Sequence, residues 1–164
     1  MQFPERGSLH EIEEGGRLMP LFDARGLIPC ITQDAVSREV LMLGWMNREA
    51  LAKTIETGWA HYWSRARQKL WRKGEQSGQA QRARRILIDD DQDCVLLMVE
   101  LTSGAACHVG YRSCFFRELD WQPGQTDFRL SYLEHSRVYD PVQAYGTPAN
   151  ANAAHPDRSA EDKA

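Results

Sequence analysis

Cys107 and Cys114 stand seven residues apart in "CHVGYRSC", with His108 directly after the first. A thiolate pair can hold a divalent metal, and an imidazole beside it, with an ordinary pKa of about 6.5, can take or give a proton. The spacing is wider than the C-x2–4-C knuckle of structural zinc sites, so two buried thiols near a turn fit it equally well. Upstream, "ILIDDDQDCVLLM" packs Asp89, Asp90, Asp91 and Asp93 into five residues. Hard cations such as Mg2+ take oxygen ligands. In an extended segment Asp89, Asp91 and Asp93 point to one side, where a divalent ion would relieve their repulsion. A solvated acidic turn is the plainer alternative. The glycine and distant glutamate of an EF-hand loop are missing.

A third stretch, "HYWSRARQKLWRKGEQSG", surrounds Trp63 and Trp71 with Arg65, Arg67, Lys69, Arg72 and Lys73. Cations beside aromatic rings suit a phosphorylated base, through ionic contacts and stacking. The same composition could serve single-stranded nucleic acid, or be a solvated basic face over two core tryptophans.

The elements that position these residues follow from apolar patterning. "LIPCITQD" and "EVLMLGWM" read as a hairpin turned by "DAVSR". "NREALAKTIETG" reads as a helix, with Asn47 as N-cap, Glu49 in the first turn, Leu51 and Ile55 on one face, and Gly58 past its end. "WAHYWS" is a short aromatic strand, and the basic run after it reads as a loop. "ARRILID" and "CVLLMVEL" are strands flanking the aspartates, and "SGAACHVGYRSCFFREL" reads as loop then strand. Strands outnumber helices, which predicts a compact, β-rich α+β domain with one or two helices. Residues 1–19 are expected to form an N-terminal arm and 20–140 the domain. From 141 to 164, Pro, Ala, Asn and charge without periodicity predict a disordered tail.

The 164 residues carry a net charge of −3 and are 42% hydrophobic. That balance fits one globular domain and supplies no general field for nucleic acid or an anionic membrane. No apolar run approaches the roughly 20 residues a membrane span needs. The N-terminus has no apolar signal region, so a cytoplasmic location is expected and the four cysteines read as metal or core residues rather than disulfides. Cys30, in "GLIPCITQD", reads as a small buried hydrophobe.

Taken in order, the basic-aromatic stretch, the aspartate cluster and "ACHVGYRSCFFR" resemble the phosphoribosyl-AMP cyclohydrolases of histidine biosynthesis, and "GLIPCITQD" and "EVLMLGWMNREAL" resemble their N-terminal half. The likeness covers roughly residues 20 to 120. It implies hydrolytic opening of the adenine N1–C6 bond of 1-(5-phosphoribosyl)-AMP, so the partner is a small phosphorylated nucleotide. It also implies an α+β homodimer, with zinc held by cysteines of both subunits and Mg2+ held by aspartates. Position by position, Cys107 and Cys114 match zinc-site cysteines, Asp89, Asp91 and Asp93 match the magnesium ligands, and His108 matches the histidine beside the zinc cysteine. Arg65, Lys73 and Arg112 are candidate phosphate clamps, with Trp63 and Trp71 as candidate stacking residues.

Two positions depart from the pattern. Asp90 stands where the family has a third zinc thiolate, and Gln79 where it has a histidine. A carboxylate is harder than a thiolate, which shifts preference towards Mn2+ or Fe2+ in place of zinc. Cys94 could supply the missing thiolate only if the acidic segment is a tight turn, because in an extended strand it lies about 13 Å from Asp90. Otherwise Cys94 is a core residue. Two alternatives to the active enzyme stay open: a cyclohydrolase-like regulator that binds a nucleotide or metal without turnover, and a nucleic-acid binder built on the basic loop.

Overall fold

Two apolar runs lie side by side at the centre of the molecule although 60 residues separate them in sequence. β1 (Leu27–Asp34) and β6 (Val95–Leu101) pair in parallel, Cys30 opposite Val95 through Asp34 opposite Val99. The computed structural model, which describes residues 1–146, flanks them with β2 (Val40–Asn47) and β5 (Gln81–Ile88), giving a four-stranded sheet in the order β2-β1-β6-β5. Both outer pairings are antiparallel. Ile28, Cys30, Val95, Leu97 and Val99 on the central strands are fully buried, as expected where neighbours cover both sides.

One face of the sheet is covered by α2 (Arg48–Thr57). Its boundaries are those the sequence predicts. The Asn47 side chain accepts from the Ala50 N–H at 2.8 Å, and Gly58 ends the helix at φ +71°, a conformation that favours glycine. Leu51 is fully buried, with Ile55 against the same core, and removing one leucine side chain from water contributes about 2–3 kcal/mol. Tyr62 extends this core, and its hydroxyl meets Thr32 at 2.7 Å and donates to Gln81 at 2.8 Å.

Two short ribbons complete the domain. β3 (His61–Ser64) pairs with β4 (Lys69–Arg72), and β7 (Arg117–Asp120) with β8 (Arg129–Tyr132). β4 corrects the loop expected after Ser64. "KLWR" has no alternation of its own and becomes a strand by pairing with β3. The structure is α+β and β-rich as expected, but it has three helices among the described residues. The two extra helices are five residues each: α1 (Leu9–Glu13), closed by a Ser8–Glu11 capping box, and α3 (Pro141–Tyr145), started by Asp140 and a proline. α3 falls where the disordered tail was expected to begin, and 147–164 lie outside the described residues. No helix among the described residues is long and apolar enough to cross a membrane.

Candidate active site

The segment 104–116 has no regular secondary structure, yet its backbone is held from several directions. Within it, the Cys107 N–H donates to Tyr111 O and the Ala106 N–H to Arg112 O, closing a loop that brings the two cysteines together. From β2, Leu41 O accepts the Cys114 N–H at 2.7 Å, and Val40 O accepts the Ser113 hydroxyl at 2.8 Å. The Glu134 carboxylate accepts the N–H groups of Arg112 and Ser113 at 2.8 and 3.0 Å. The Tyr139 hydroxyl reaches the carbonyls of Cys107 and His108, both at 3.2 Å. Gly110 is required here: its φ is +99°, and an added Cβ would stand 2.4 Å from Tyr139 O.

Cys107, Cys114 and His108 lie close enough for Cys114 and His108 to shift the Cys107 thiol. Cys107 is buried, whereas Cys114 is exposed. The Cys107 thiol is held down to about 4, chiefly by its interaction with Cys114 and then by His108, while the same interaction pushes Cys114 up. Two sulfurs so placed fit a zinc-type ion but make only half of a four-coordinate site.

The acidic segment is a turn. Asp89 caps it by accepting the Cys94 N–H at 2.9 Å, and Gln92 sits at φ +60°. Strand alternation therefore fails across it. Instead of Asp89, Asp91 and Asp93 sharing a side, the carboxylates of Asp89, Asp90 and Asp91 converge within 4.8 Å, all exposed. Asp93 is near enough to feel their charges. Its carboxyl is raised by loss of water contact and then by the charges of Asp91, Asp89 and Asp90. Crowded, repelling oxygens of this kind fit a hard divalent cation. Cys94 is outside the cluster. It is half-buried against β1, its thiol nearest the Val95 carbonyl, with burial raising its pKa.

The two donor sets do not meet within one chain. The turn lies beside the start of β1, since Val95 just after it pairs with Cys30. The cysteine loop lies beside the other end, where Arg112 bonds Asp34. Four residues of strand, about 13 Å, separate those anchor points. Among the described residues, Asp89, Asp90 and Asp91 are the one group of three or more such donors that converge.

A family model for phosphoribosyl-AMP cyclohydrolase matches residues 42–116, from β2 through the cysteine loop. A phosphoribosyl-AMP cyclohydrolase of Rhodopseudomonas palustris (strain BisB18) is 49% identical over 138 residues, 84% of this chain and 93% of its own. Those of Nitrobacter winogradskyi (48% over 142 residues, 87% of this chain and 97% of its own) and Bradyrhizobium sp. ORS 278 (51% over 127, 77% and 96%) are similarly near. The chain belongs to the phosphoribosyl-AMP cyclohydrolase family. The likeness reaches further along the chain than residues 20 to 120, because a match over 142 of the 164 residues necessarily takes in the Glu134–Tyr139 region.

In this cyclohydrolase two cations singled out as phosphate clamps are engaged inside the chain. Lys73 is buried, its ammonium donates to Ala106 O at 2.5 Å, and burial lowers its pKa. It supports the residue before Cys107. The Arg112 guanidinium donates to Asp34 at 2.9 Å and Glu39 at 2.8 Å, bracing the cysteine loop against the β1–β2 turn. Arg65 is exposed on the β3–β4 turn, over the Trp45 ring at 5.2 Å. The tryptophans also separate. Trp71 lies opposite Tyr62 and Trp63 opposite Leu70, so they occupy opposite faces of the ribbon and cannot sandwich one base. Glu134, Tyr139 and Trp45 carry no sequence motif. Each acts through contacts 20 or more residues away, so no local pattern marks them. Gln79 is buried with its Oε1 lacking a hydrogen-bond partner, a rare condition for a buried amide.

Proposed function

We propose that this chain opens the adenine ring of 1-(5-phosphoribosyl)-AMP by adding water across N1–C6, a cytoplasmic step of L-histidine biosynthesis, and that it does so as a homodimer. The observation that carries the reading is the closeness of Cys107, Cys114 and His108 on one tightly held loop, in a chain about half identical to cyclohydrolases. Ring opening needs water at C6 and a proton at N1. Cys107 and Cys114 would hold a zinc ion, or Mn2+ or Fe2+ in its place, which would supply Lewis acidity for activating water at neutral pH. His108, beside Cys107, delivers the proton to N1. Arg65 binds phosphate, with one of the ribbon's tryptophans beside the base. Asp89, Asp91 and Asp93 hold Mg2+, which relieves their mutual repulsion.

The half-site needs a further ligand, and this chain's own Asp90 converges with Asp89 and Asp91 instead. Asp90 of the partner subunit completes it. An exposed apolar surface beside the cysteine loop supports a second copy as the occupant. Leu119, Leu130 and Tyr132 share one face of the β7–β8 ribbon, and Phe128 and Trp121 are exposed at its ends. Tyr132 packs on Phe116 and Tyr111 of the cysteine loop, which makes this surface continuous with the site.

The test is turnover of phosphoribosyl-AMP by metal-free protein given one divalent metal at a time, beside Asp90→Cys. Activity is expected with Mn2+ or Fe2+ at least equal to that with zinc. Asp90→Cys is expected to tighten zinc about tenfold or more, equivalent to ~1.4 kcal/mol. Unchanged zinc affinity removes Asp90 from the ligand set. A folded protein inactive with every metal points to the regulatory alternative.

A further inference from the structure

Gln92 occupies the one position of the acidic turn that bears no carboxylate, and it is buried while its aspartate neighbours are exposed. Its backbone sits at φ +60°, where glycine or asparagine is the easier residue. What the longer side chain reaches explains its presence. The Oε1 accepts the Met19 N–H at 2.6 Å, and the Nε2 donates to Ile12 O at 2.9 Å and Arg17 O at 3.1 Å. The Gln92 carbonyl accepts the Leu21 N–H at 2.8 Å. One residue thus satisfies four backbone groups of the segment 12–21, with Ile12 and Met19 buried around it. Arg6 adds a second tie, donating to Met19 O and to Asp91 O, both at 2.9 Å.

We infer that Gln92 is a positioning residue, through which the N-terminal segment 6–21 fixes the geometry of the Asp89–Asp93 turn and thereby its affinity for a divalent cation. This rests on the reading of the turn as a cation site. The carboxylates are exposed and repel one another, and the bond by which Asp89 closes the turn on the Cys94 N–H lies within the turn itself. A second grip comes from behind, through the buried amide and the Arg6 fork, as outer-shell hydrogen bonds orient ligands in metal sites generally. The N-terminal segment is therefore part of the site's machinery although it supplies no ligand.

Mn2+ binding to the full-length, metal-free chain, followed by electron paramagnetic resonance, tests this. Asp89→Asn identifies the binding that belongs to the turn. Gln92→Gly keeps the backbone comfortable and removes only the side-chain grip. It is expected to weaken Mn2+ at the turn about tenfold, the lower end of outer-shell effects, and to speed amide exchange at Met19. Half-saturation by Mg2+ in turnover should rise by a similar factor while kcat at saturating Mg2+ recovers, a split that general loss of folding would not produce. Arg6→Ala should act in the same direction, more weakly. Faster exchange with unchanged Mn2+ affinity overturns the inference. If Gln92→Gly does not fold, Arg6→Ala with a loosened segment and unchanged affinity overturns it equally. Wild-type protein whose Mn2+ signal ignores Asp89→Asn overturns the cation-site reading itself, and the inference with it.

Discussion

Replacing Arg112 by methionine separates a phosphate clamp from a structural brace. In the fold, Arg112 spans from the cysteine loop to Asp34 at the end of β1 and Glu39 before β2. The Asp34 side chain is 11% exposed and Glu39 38%, so the two pairs are unequal. A hydrogen bond to a charged group in the more shielded position contributes about 1.5 kcal/mol, and the screened Glu39 pair about 0.5 kcal/mol. Methionine preserves most of the aliphatic packing, so Arg112→Met should cost about 2 kcal/mol in total. For a domain of this size that lowers Tm by roughly 4–8 °C. The pH dependence has a definite sign. Burial alone would push the Asp34 carboxyl up, but the Ser37 and Val36 amides, the Ser37 hydroxyl and Arg112 together hold it below its ordinary value. A depressed carboxyl contributes stability that is present above its unfolded pKa, about 3.9, and lost as pH falls through the folded value. The gap between wild type and Arg112→Met should therefore be full at pH 7 and narrow below about pH 4. Urea denaturation at both pH values, with KM for phosphoribosyl-AMP at pH 7, measures all of this. A KM raised tenfold or more with unchanged stability would refute the brace and restore Arg112 as a clamp.

Two further substitutions probe buried polar groups. Lys73→Met leaves Ala106 O without its donor but removes a buried charge, so the terms nearly offset and stability should change by less than about 2 kcal/mol. Binding of Co2+ to the thiols, read from its thiolate absorption, should weaken while KM stays level; a raised KM with unchanged Co2+ binding would return Lys73 to substrate binding. Gln79→Met removes an unsatisfied buried oxygen and should raise stability by about 1 kcal/mol in urea denaturation, whereas a stability loss with a raised KM would mean that substrate uses the amide.

What the sequence made legible was local. The Asn47 cap, the Gly58 stop and the strands around the aspartates each depend on neighbours a few residues away, and each is found in the structure. The cysteine–histidine cluster was legible because its members sit within eight residues. Long-range pairing was not. Nothing in "KLWR" marks a strand until His61–Ser64 lies beside it, and nothing in β1 or β6 announces that they run parallel. The aspartates show a subtler failure. Alternation presumes extended backbone, and Gln92 breaks it by adopting a left-handed conformation that its contacts with Ile12, Arg17 and Met19 hold in place. Arg112 and Lys73 have partners that the sequence does not show. A cation near a motif looks available in sequence, and only the fold shows that Asp34, Glu39 and Ala106 have already engaged it.

The separation of the two donor sets follows from the sheet. β1 contacts the acidic turn near one end and the cysteine loop near the other, and as the buried central strand it cannot shorten or bend without exposing Ile28 and Cys30. Within one chain the turn and the loop are therefore held apart by the same apolar packing that stabilises the domain. A soft half-site of two sulfurs and a hard cluster of oxygens can each be well ordered and still share no ion. Joining them requires a second surface brought against the loop, and the exposed ribbon residues Leu119, Leu130 and Tyr132 lie beside it. Asp90 is exposed, so Asp90→Cys should leave the fold of this chain unchanged, whereas the buried Gln92, bonded to Ile12, Arg17 and Met19, ties the acidic turn to the N-terminal segment.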